Sequence, residues 1–320
     1  MSIHSVQALA EQIRTNVGQV IVGKEAMIDK LLIALLTSGH VLLEDVPGTG
    51  KTLLAKSLAL SISGSFKRVQ FTPDLLPSDL SGINFYNQKL GEFEFRQGPL
   101  FTNLLLADEI NRATPRTQSS LLECMEERQI SIDGETHRLQ PPFMVIATQN
   151  PIEQQGTFPL PEAQLDRFLF KLHMGYPTSE ESVRILSRFK GTKPLESLKP
   201  VASADAIIEA QRAVSQIEVN EDVLRYIVAI GEHTRTLEEV ATGVSPRAMQ
   251  ALMGASQAHA ALSGRDFVTP DDVKKLAVPA LSHRLVLKSS ARVRGDRFAA
   301  ERIIERVLDS VEVPAERLHS

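Results

Sequence analysis

The stretch VLLEDVPGTGKTLLAKSLA, residues 41–59, constrains this chain more than any other. An apolar run passes through two glycines, a lysine and a threonine, and then into a second apolar stretch with helical spacing. That order reads as strand, tight loop and helix, with the loop built to receive phosphate. Gly48 and Gly50 let the backbone approach an anion closely, and Lys51 can reach the outer phosphates. Thr52 can place its hydroxyl on a magnesium ion, and the positive end of the following helix faces the same anion. The general pattern is G-x-x-x-x-G-K-[ST], and its first glycine is replaced here by Asp45. Asp adopts left-handed backbone more readily than most residues, so the substitution is compatible with the loop. Asp45, Val46, Pro47, Gly48, Thr49, Gly50, Lys51 and Thr52 are therefore the candidate phosphate-binding segment. A glycine turn before an ordinary helix is the plain alternative.

At 320 residues the chain suits two domains of roughly 100–200 residues each. A net charge of −4 supplies no global positive field for nucleic acid. A single cysteine, Cys124, excludes an internal disulfide, and the scattered histidines show no metal-ligand spacing. The opening MSIHSVQALAEQIRTNV carries Glu11 and lacks the apolar core of a signal peptide. The run LLIALL at 31–36 is far shorter than the roughly 20 residues of a membrane span. A cytoplasmic protein without membrane insertion is the expectation.

Helical spacing covers 3–16 and 24–37, and short apolar strands are predicted at 40–43, 66–71, 103–108, 143–148 and near 170. INFYNQKLGEFEFR (83–96) alternates about a central turn, and QISIDGETHRL (129–139) centres on Asp133-Gly134; both predict hairpins. Thr114 and Pro115 predict the start of a helix to about 127. Near 176–178 the pattern changes. From 179 to about 285 the chain is helix-periodic, with Ser179, Ser203 and Ser245 as candidate caps and no convincing strand. Alternating strands and helices followed by helices alone predict an α/β domain over 1–177 and a helical domain over 178–320.

Four further segments carry candidate chemistry. LLLADEINR (104–112) ends an apolar strand on Asp108 and Glu109, at the sheet edge where ligands bind in open α/β folds. Asp108 can hold magnesium through water, and Glu109 can orient or deprotonate an attacking water. Two surface acids at a strand end are the bland alternative. MVIATQNP (144–151) ends a strand on Asn150, which can bond a phosphate or the water, or simply form a turn before Pro151. Arg167, in EAQLDRF, can serve as an arginine supplied across a subunit edge, or can pair locally with Asp166 or Glu162. Arg247, in GVSPRAMQAL, sits in the first turn of a predicted helix, where the helix dipole disfavours a cation. A nearby phosphate would compensate; solvent exposure is the other reading.

VPGTGKT, LLLADEINRA, ATQNP, EAQLDRF and GVSPRA, in this order and spacing, resemble the MoxR family of AAA+ ATPases over nearly the full chain. MoxR-like loops often read E-[DG]-V-P-G-x-G-K-[ST], so Asp45 fits the resemblance. It implies a P-loop NTPase core with a five-stranded parallel sheet, order 5-1-4-3-2, flanked by helices, and a C-terminal all-α lid. It further implies ATP and Mg2+ as cofactors. Lys51 and Thr52 become Walker A, Asp108 and Glu109 Walker B, Asn150 sensor 1, Arg167 the arginine finger and Arg247 sensor 2. Whether Arg247 acts within its own subunit or a neighbour's stays open. The partners implied are further copies in a ring, usually a hexamer, a von Willebrand factor A domain protein encoded elsewhere, and a client protein complex that is remodelled. The two hairpins resemble insertions shared with magnesium chelatases and replicative helicases.

Two other functions compete. A nucleic-acid motor would present cations from its hairpins to a phosphate backbone. Here the second turn is Asp133-Gly134-Glu135, and Glu92 and Glu94 offset Lys89 and Arg96 in the first, so no nucleic-acid partner is expected. A nucleotide-gated binding module with little turnover would have no need of Glu109 and Arg167.

Overall fold

Parallel strands covered on both faces need continuous apolar sequence, and three runs here supply it. Val41–Glu44, Leu104–Asp108 and Met144–Gln149 are buried along almost their whole length. They pair in parallel, with Val41 beside Ile146 and Leu104 beside Met144. Phe66–Gln70 adds to Leu104–Asp108, with Phe66 beside Leu104. Its exposed Lys67 and Arg68 mark it as an edge strand. Phe170–Leu172 completes a five-stranded sheet in the order 66–70, 104–108, 144–149, 41–44, 170–172. Numbered along the chain this is 2-3-4-1-5, the order that the resemblance implies. The computed structural model describes residues 1–44, 48–150, 156–188, 190, 193–291, 296 and 298–314.

Two compact units share the chain, each discontinuous in sequence. One comprises Glu11–Leu160 and Leu172–Ile208. In it, helix Lys51–Ser61 buries Leu54, Ala55, Leu58 and Ala59, and helix Pro115–Glu127 buries Leu121, Leu122 and Met125. Thr114 stands at the N-cap of the latter, but its hydroxyl meets the Thr117 hydroxyl at 3.4 Å and caps no backbone N–H. Both predicted hairpins are present, Gly82–Asn87 with Glu92–Gln97 and Gln129–Ile132 with Glu135–Arg138. Asp133 and Gly134 both have positive φ, 50° and 86°, which matches the right-handed twist of a two-residue hairpin. The hairpins meet through Asn84 Nδ2 donating to Asp133 (2.8 Å) and through stacked Phe95 and His137 rings, 4.3 Å between centroids.

The second unit comprises Met1–Ala10, Pro161–Lys171 and Glu209–Ser320. Its main helices are Glu221–Thr236, Pro246–Leu262, Pro270–Leu281 and Ala299–Ser310. Against the expectation of helices alone, Val240–Thr242 and Val286–Leu287 form a short antiparallel ribbon. Segments of two and three residues are too short for alternation to register in sequence. Asp272 is almost fully buried, and burial alone would raise its pKa. Hydrogen bonds from His259, Arg265 and Thr269 reverse this and hold it well below the usual carboxylate range. Ser203 and Ser245 cap their helices through Ala206 N–H and Ala248 N–H. The cap expected at Ser179 falls one residue earlier. Thr178 Oγ1 accepts from Glu181 N–H, and the Glu181 carboxylate accepts from Thr178 N–H, which is a complete capping box.

His40 lies wholly inside the first unit at the start of the sheet. Val145 N–H donates to its Nδ1 (2.9 Å), so the proton sits on Nε2, which faces the Met125 carbonyl at 3.0 Å. Burial, then the charge of Arg128, lowers its pKa to about 3. The folded value lies below the unfolded one, so the unfolded chain takes up the proton first as pH falls through about 6.5. Stability is then lost progressively towards pH 3, by about 2 kcal/mol between pH 7 and pH 5 from this group alone. Histidine NMR should show His40 as the neutral Nε2–H tautomer down to pH 4.5; a titration midpoint near 6.5 contradicts this packing.

Candidate functional site

Strand Val41–Glu44 delivers the chain to the loop, and helix Lys51–Ser61 carries it away. Asp45, Val46 and Pro47 lie outside the described residues. Gly48 and Gly50 have φ of 83° and 92°, a region that side-chain-bearing residues seldom adopt. Space is not the reason for glycine at 48, since an added Cβ would meet no atom within 4 Å. Gly50 is the N-cap, and its carbonyl accepts from Leu54 N–H at 2.9 Å. The first N–H groups of this helix therefore end on the loop, with Lys51 and Thr52 in the opening turn.

Two strands away, Leu104–Asp108 ends on the paired carboxylates. Asp108 is only 9% exposed. Its Oδ1 accepts from Thr148 Oγ1 at 2.5 Å, and its Oδ2 accepts from Arg68 Nη2 at 2.7 Å and Nε at 3.2 Å. Thr148 Oγ1 in turn accepts from Glu109 N–H at 2.8 Å. One hydroxyl thus fixes both acids, from the strand that separates them from the P-loop strand. Glu109 is held at φ 57°, ψ 50°, a left-handed conformation that a non-glycine residue keeps only when its surroundings impose it. The next turn, Ile110–Arg112, brings Arg112 Nε to 2.6 Å from Glu109 Oε2. Gln118 is buried and its amide donates to the carbonyls of Ile110, Ala113 and Phe158, which locks the chain just beyond the acids.

Asn150 is buried at the end of Met144–Gln149. Beside it, Gln149 Nε2 donates to Glu44 Oε1 at 2.6 Å and joins the ends of the two strands. Among the described residues no three His, Cys, Asp or Glu side chains gather to hold a metal. The residues expected to meet a divalent cation, Thr52 and Asp108, would supply one hydroxyl and one carboxylate. Such a donor set fits magnesium, which keeps several waters and takes phosphate oxygens as its other ligands. The positive-φ glycines and the helix start likewise fit a phosphate chain.

Arg167 and Arg247 belong to the second unit. Arg167 follows helix Glu162–Leu165 and is half-buried, with its N–H bonded to Gln164 O. Arg247 stands at the second helical position of Pro246–Leu262, as expected, and its Nε is 3.8 Å from Asp166 Oδ2. Asp166 Oδ1 is 2.8 Å from Arg284 Nε. Spacing motifs missed Arg284, along with Thr148, Arg68 and Gln118.

Sheet order, glycine loop and paired acids together define a P-loop nucleoside triphosphatase of the AAA+ kind. Comparison with known proteins agrees. Residues 40–170 match the ATPase family associated with various cellular activities (AAA), and residues 232–307 match the AAA lid domain. The protein YeaC of Bacillus subtilis strain 168 is 50% identical, over 94% of each chain. Chaperone MoxR1 of Mycobacterium tuberculosis is 42% identical, over 96% of this chain and 85% of its own. Protein MoxR of Paracoccus denitrificans is 32% identical, over 92% of this chain and 94% of its own. A crystal structure from Cytophaga hutchinsonii, inferred to be an ATPase, matches with a TM-score of 0.91 and 38% identity, over 98% of this chain and 97% of its own. The chain belongs to the MoxR family of AAA+ ATPases.

Replacing Thr148 by Val keeps the shape but removes the partner of both Asp108 Oδ1 and the Glu109 N–H. Urea denaturation should show a loss of about 1–3 kcal/mol. An unchanged midpoint would mean that the hydroxyl does not hold the acids.

Proposed function

We propose that this chain binds ATP with magnesium and hydrolyses it at the interfaces of a homo-oligomeric, six-subunit ring to remodel a client protein complex. The observation that carries this reading is the shared anchoring of Asp108 and Glu109 by Thr148, one strand from the P-loop strand. Residues 45–52 would hold the phosphates, with Lys51 at the outer ones. Magnesium, held by Thr52 and through water by Asp108, would supply charge neutralisation at the phosphates. Glu109 would turn its carboxylate from Arg112 to the attacking water and accept its proton. Asn150 would bond the water or the terminal phosphate. Arg167 would reach a neighbouring subunit's site and Arg247 would bond phosphate from its helix. In this reading residues 1–177 act as the nucleotide-binding core and 178–320 as the lid.

The route to a client starts at Glu109. The chain runs from it through the turn Ile110–Arg112 into helix Pro115–Glu127 and directly into the second hairpin at Gln129. That hairpin is tied to the first by Asn84–Asp133 and Phe95–His137. The first presents Ile83, Tyr86, Leu90 and Phe93 to solvent, with Phe93 73% exposed. An apolar, acid-flanked surface suits a protein client better than a phosphate backbone. The partner bearing a von Willebrand factor A domain would supply specificity. The setting in this reading is the cytoplasm. Among the described residues no helix is long and apolar enough to cross a membrane.

Replacing Glu109 by Gln should leave ATP binding intact and lower kcat by about 10²–10⁴-fold. Steady-state hydrolysis beside an equilibrium titration with a fluorescent ATP analogue separates the two. In ATP the same variant should retain its client in a pull-down. Normal turnover would remove Glu109 from the mechanism.

A further inference from the structure

Arg284 makes contacts that neither the motifs nor the proposed chemistry use. Its side chain is 4% exposed. Nη1 donates to Ala280 O at 3.1 Å. Nη2 donates to Asp166 O at 3.1 Å and to Phe168 O at 2.9 Å. Those two carbonyls bracket Arg167, so a single nitrogen grips the backbone on both sides of it. His283 Nε2 lies 2.9 Å from the same Phe168 carbonyl and reinforces the grip. Nε faces Asp166 Oδ1 at 2.8 Å without the alignment of a hydrogen bond, while Asp166 Oδ2 faces Arg247 at 3.8 Å. One carboxylate is therefore shared by two guanidinium groups.

Such an arrangement is not what stability alone selects. A buried ion pair often gives no advantage over apolar side chains of similar volume. Burial, partly offset by Asp166 and aggravated by Arg247, brings the Arg284 pKa down to about 10. A purely structural role would be met by any group that ties residues 166–168 to the turn Ser282–Arg284. A guanidinium that bonds both carbonyls beside Arg167 through one nitrogen and the Ala280 carbonyl through the other, and a carboxylate divided with Arg247, do more than tie. They fix the backbone from which Arg167 projects and link it to the second phosphate-directed arginine.

We propose that Arg284 and Asp166 are positioning residues for hydrolysis: Arg284 sets the direction of Arg167, and Asp166 couples Arg247 to that setting. When Arg247 is drawn to a phosphate, Asp166 passes wholly to Arg284 and tightens the hold on the Arg167 backbone. This rests on the reading of Arg167 and Arg247 as phosphate-directed residues.

The test compares Arg284→Lys, Asp166→Asn, Arg167→Ala and the Arg284→Lys/Arg167→Ala double variant in the full chain. Each is measured for kcat, KM, binding of a fluorescent ATP analogue, and melting temperature. Lys keeps the charge of Arg284 and loses the fork. Expected is a fall in kcat of about tenfold or more for Arg284→Lys and for Asp166→Asn, with KM and nucleotide affinity within about threefold of the parent. The double variant should be no slower than Arg167→Ala alone, because the residue being positioned is already gone. Parental kcat in both Arg284→Lys and Asp166→Asn, with Arg167→Ala inactive, overturns the proposal and leaves the underlying reading intact. So does a double variant slower than Arg167→Ala by the full single-variant factor, which is how a merely structural role behaves. Parental turnover by Arg167→Ala sinks the underlying reading, and shows it separately because Arg284 is intact there. If Arg284→Lys does not fold, Asp166→Asn decides, since Asp166 is partly exposed and Asn keeps its shape.

Discussion

The Thr148 hydroxyl is the point on which the site depends. It donates to Asp108 and accepts from the Glu109 N–H, so one short side chain sets the position of one acid and the backbone of the next. It can do so only because Leu104–Asp108 and Met144–Gln149 are parallel neighbours, which brings the polar ends of both strands out at one sheet edge. The apolar runs behind those ends are buried on both faces and hold the register against slippage. The left-handed conformation of Glu109 follows from that anchoring rather than from its own preference. A sheet that buries its length and exposes its ends leaves a row of fixed polar groups beside a glycine loop. That is the arrangement on which a phosphate-transfer site is most readily built.

Charge in the two units is disposed differently. The acids of the first are each held by a nearby arginine, Asp108 by Arg68 and Glu109 by Arg112. In the second, Arg247 and Arg284 converge on Asp166 alone among the pairs described there. Each acid at the strand end thus has one arginine beside it, whereas Asp166 has two.

Much of this was legible in the sequence, and what was not has physical causes. The three central strands are continuous apolar runs, and burial on both faces writes itself directly into composition. Asp133-Gly134 announced its hairpin because only such a pair accepts two successive positive φ values cheaply. Ser179 was the expected cap where Thr178 is the actual one, although the sequence held the answer. Thr178 has Glu181 three residues on, as a capping box requires, and Ser179 has Ser182. Arg68 and Arg284 were illegible for a different reason. Their partners lie 40 and 118 residues away, and no local spacing records a contact that only the fold creates. The ribbon of Val240–Thr242 with Val286–Leu287 was too short to leave a pattern.

In the proposed ring, each site would be completed by an arginine from another copy of the chain. Mixing two variants expected to be inactive tests it most directly: Lys51→Ala, which should lose nucleotide but keeps Arg167, and Arg167→Ala, which should bind nucleotide but lacks the arginine. Mixed assemblies should recover ATP hydrolysis, because Lys51→Ala subunits lend Arg167 to the intact sites of their neighbours. Mixed assemblies with no hydrolysis above either variant alone would contradict a site shared between subunits.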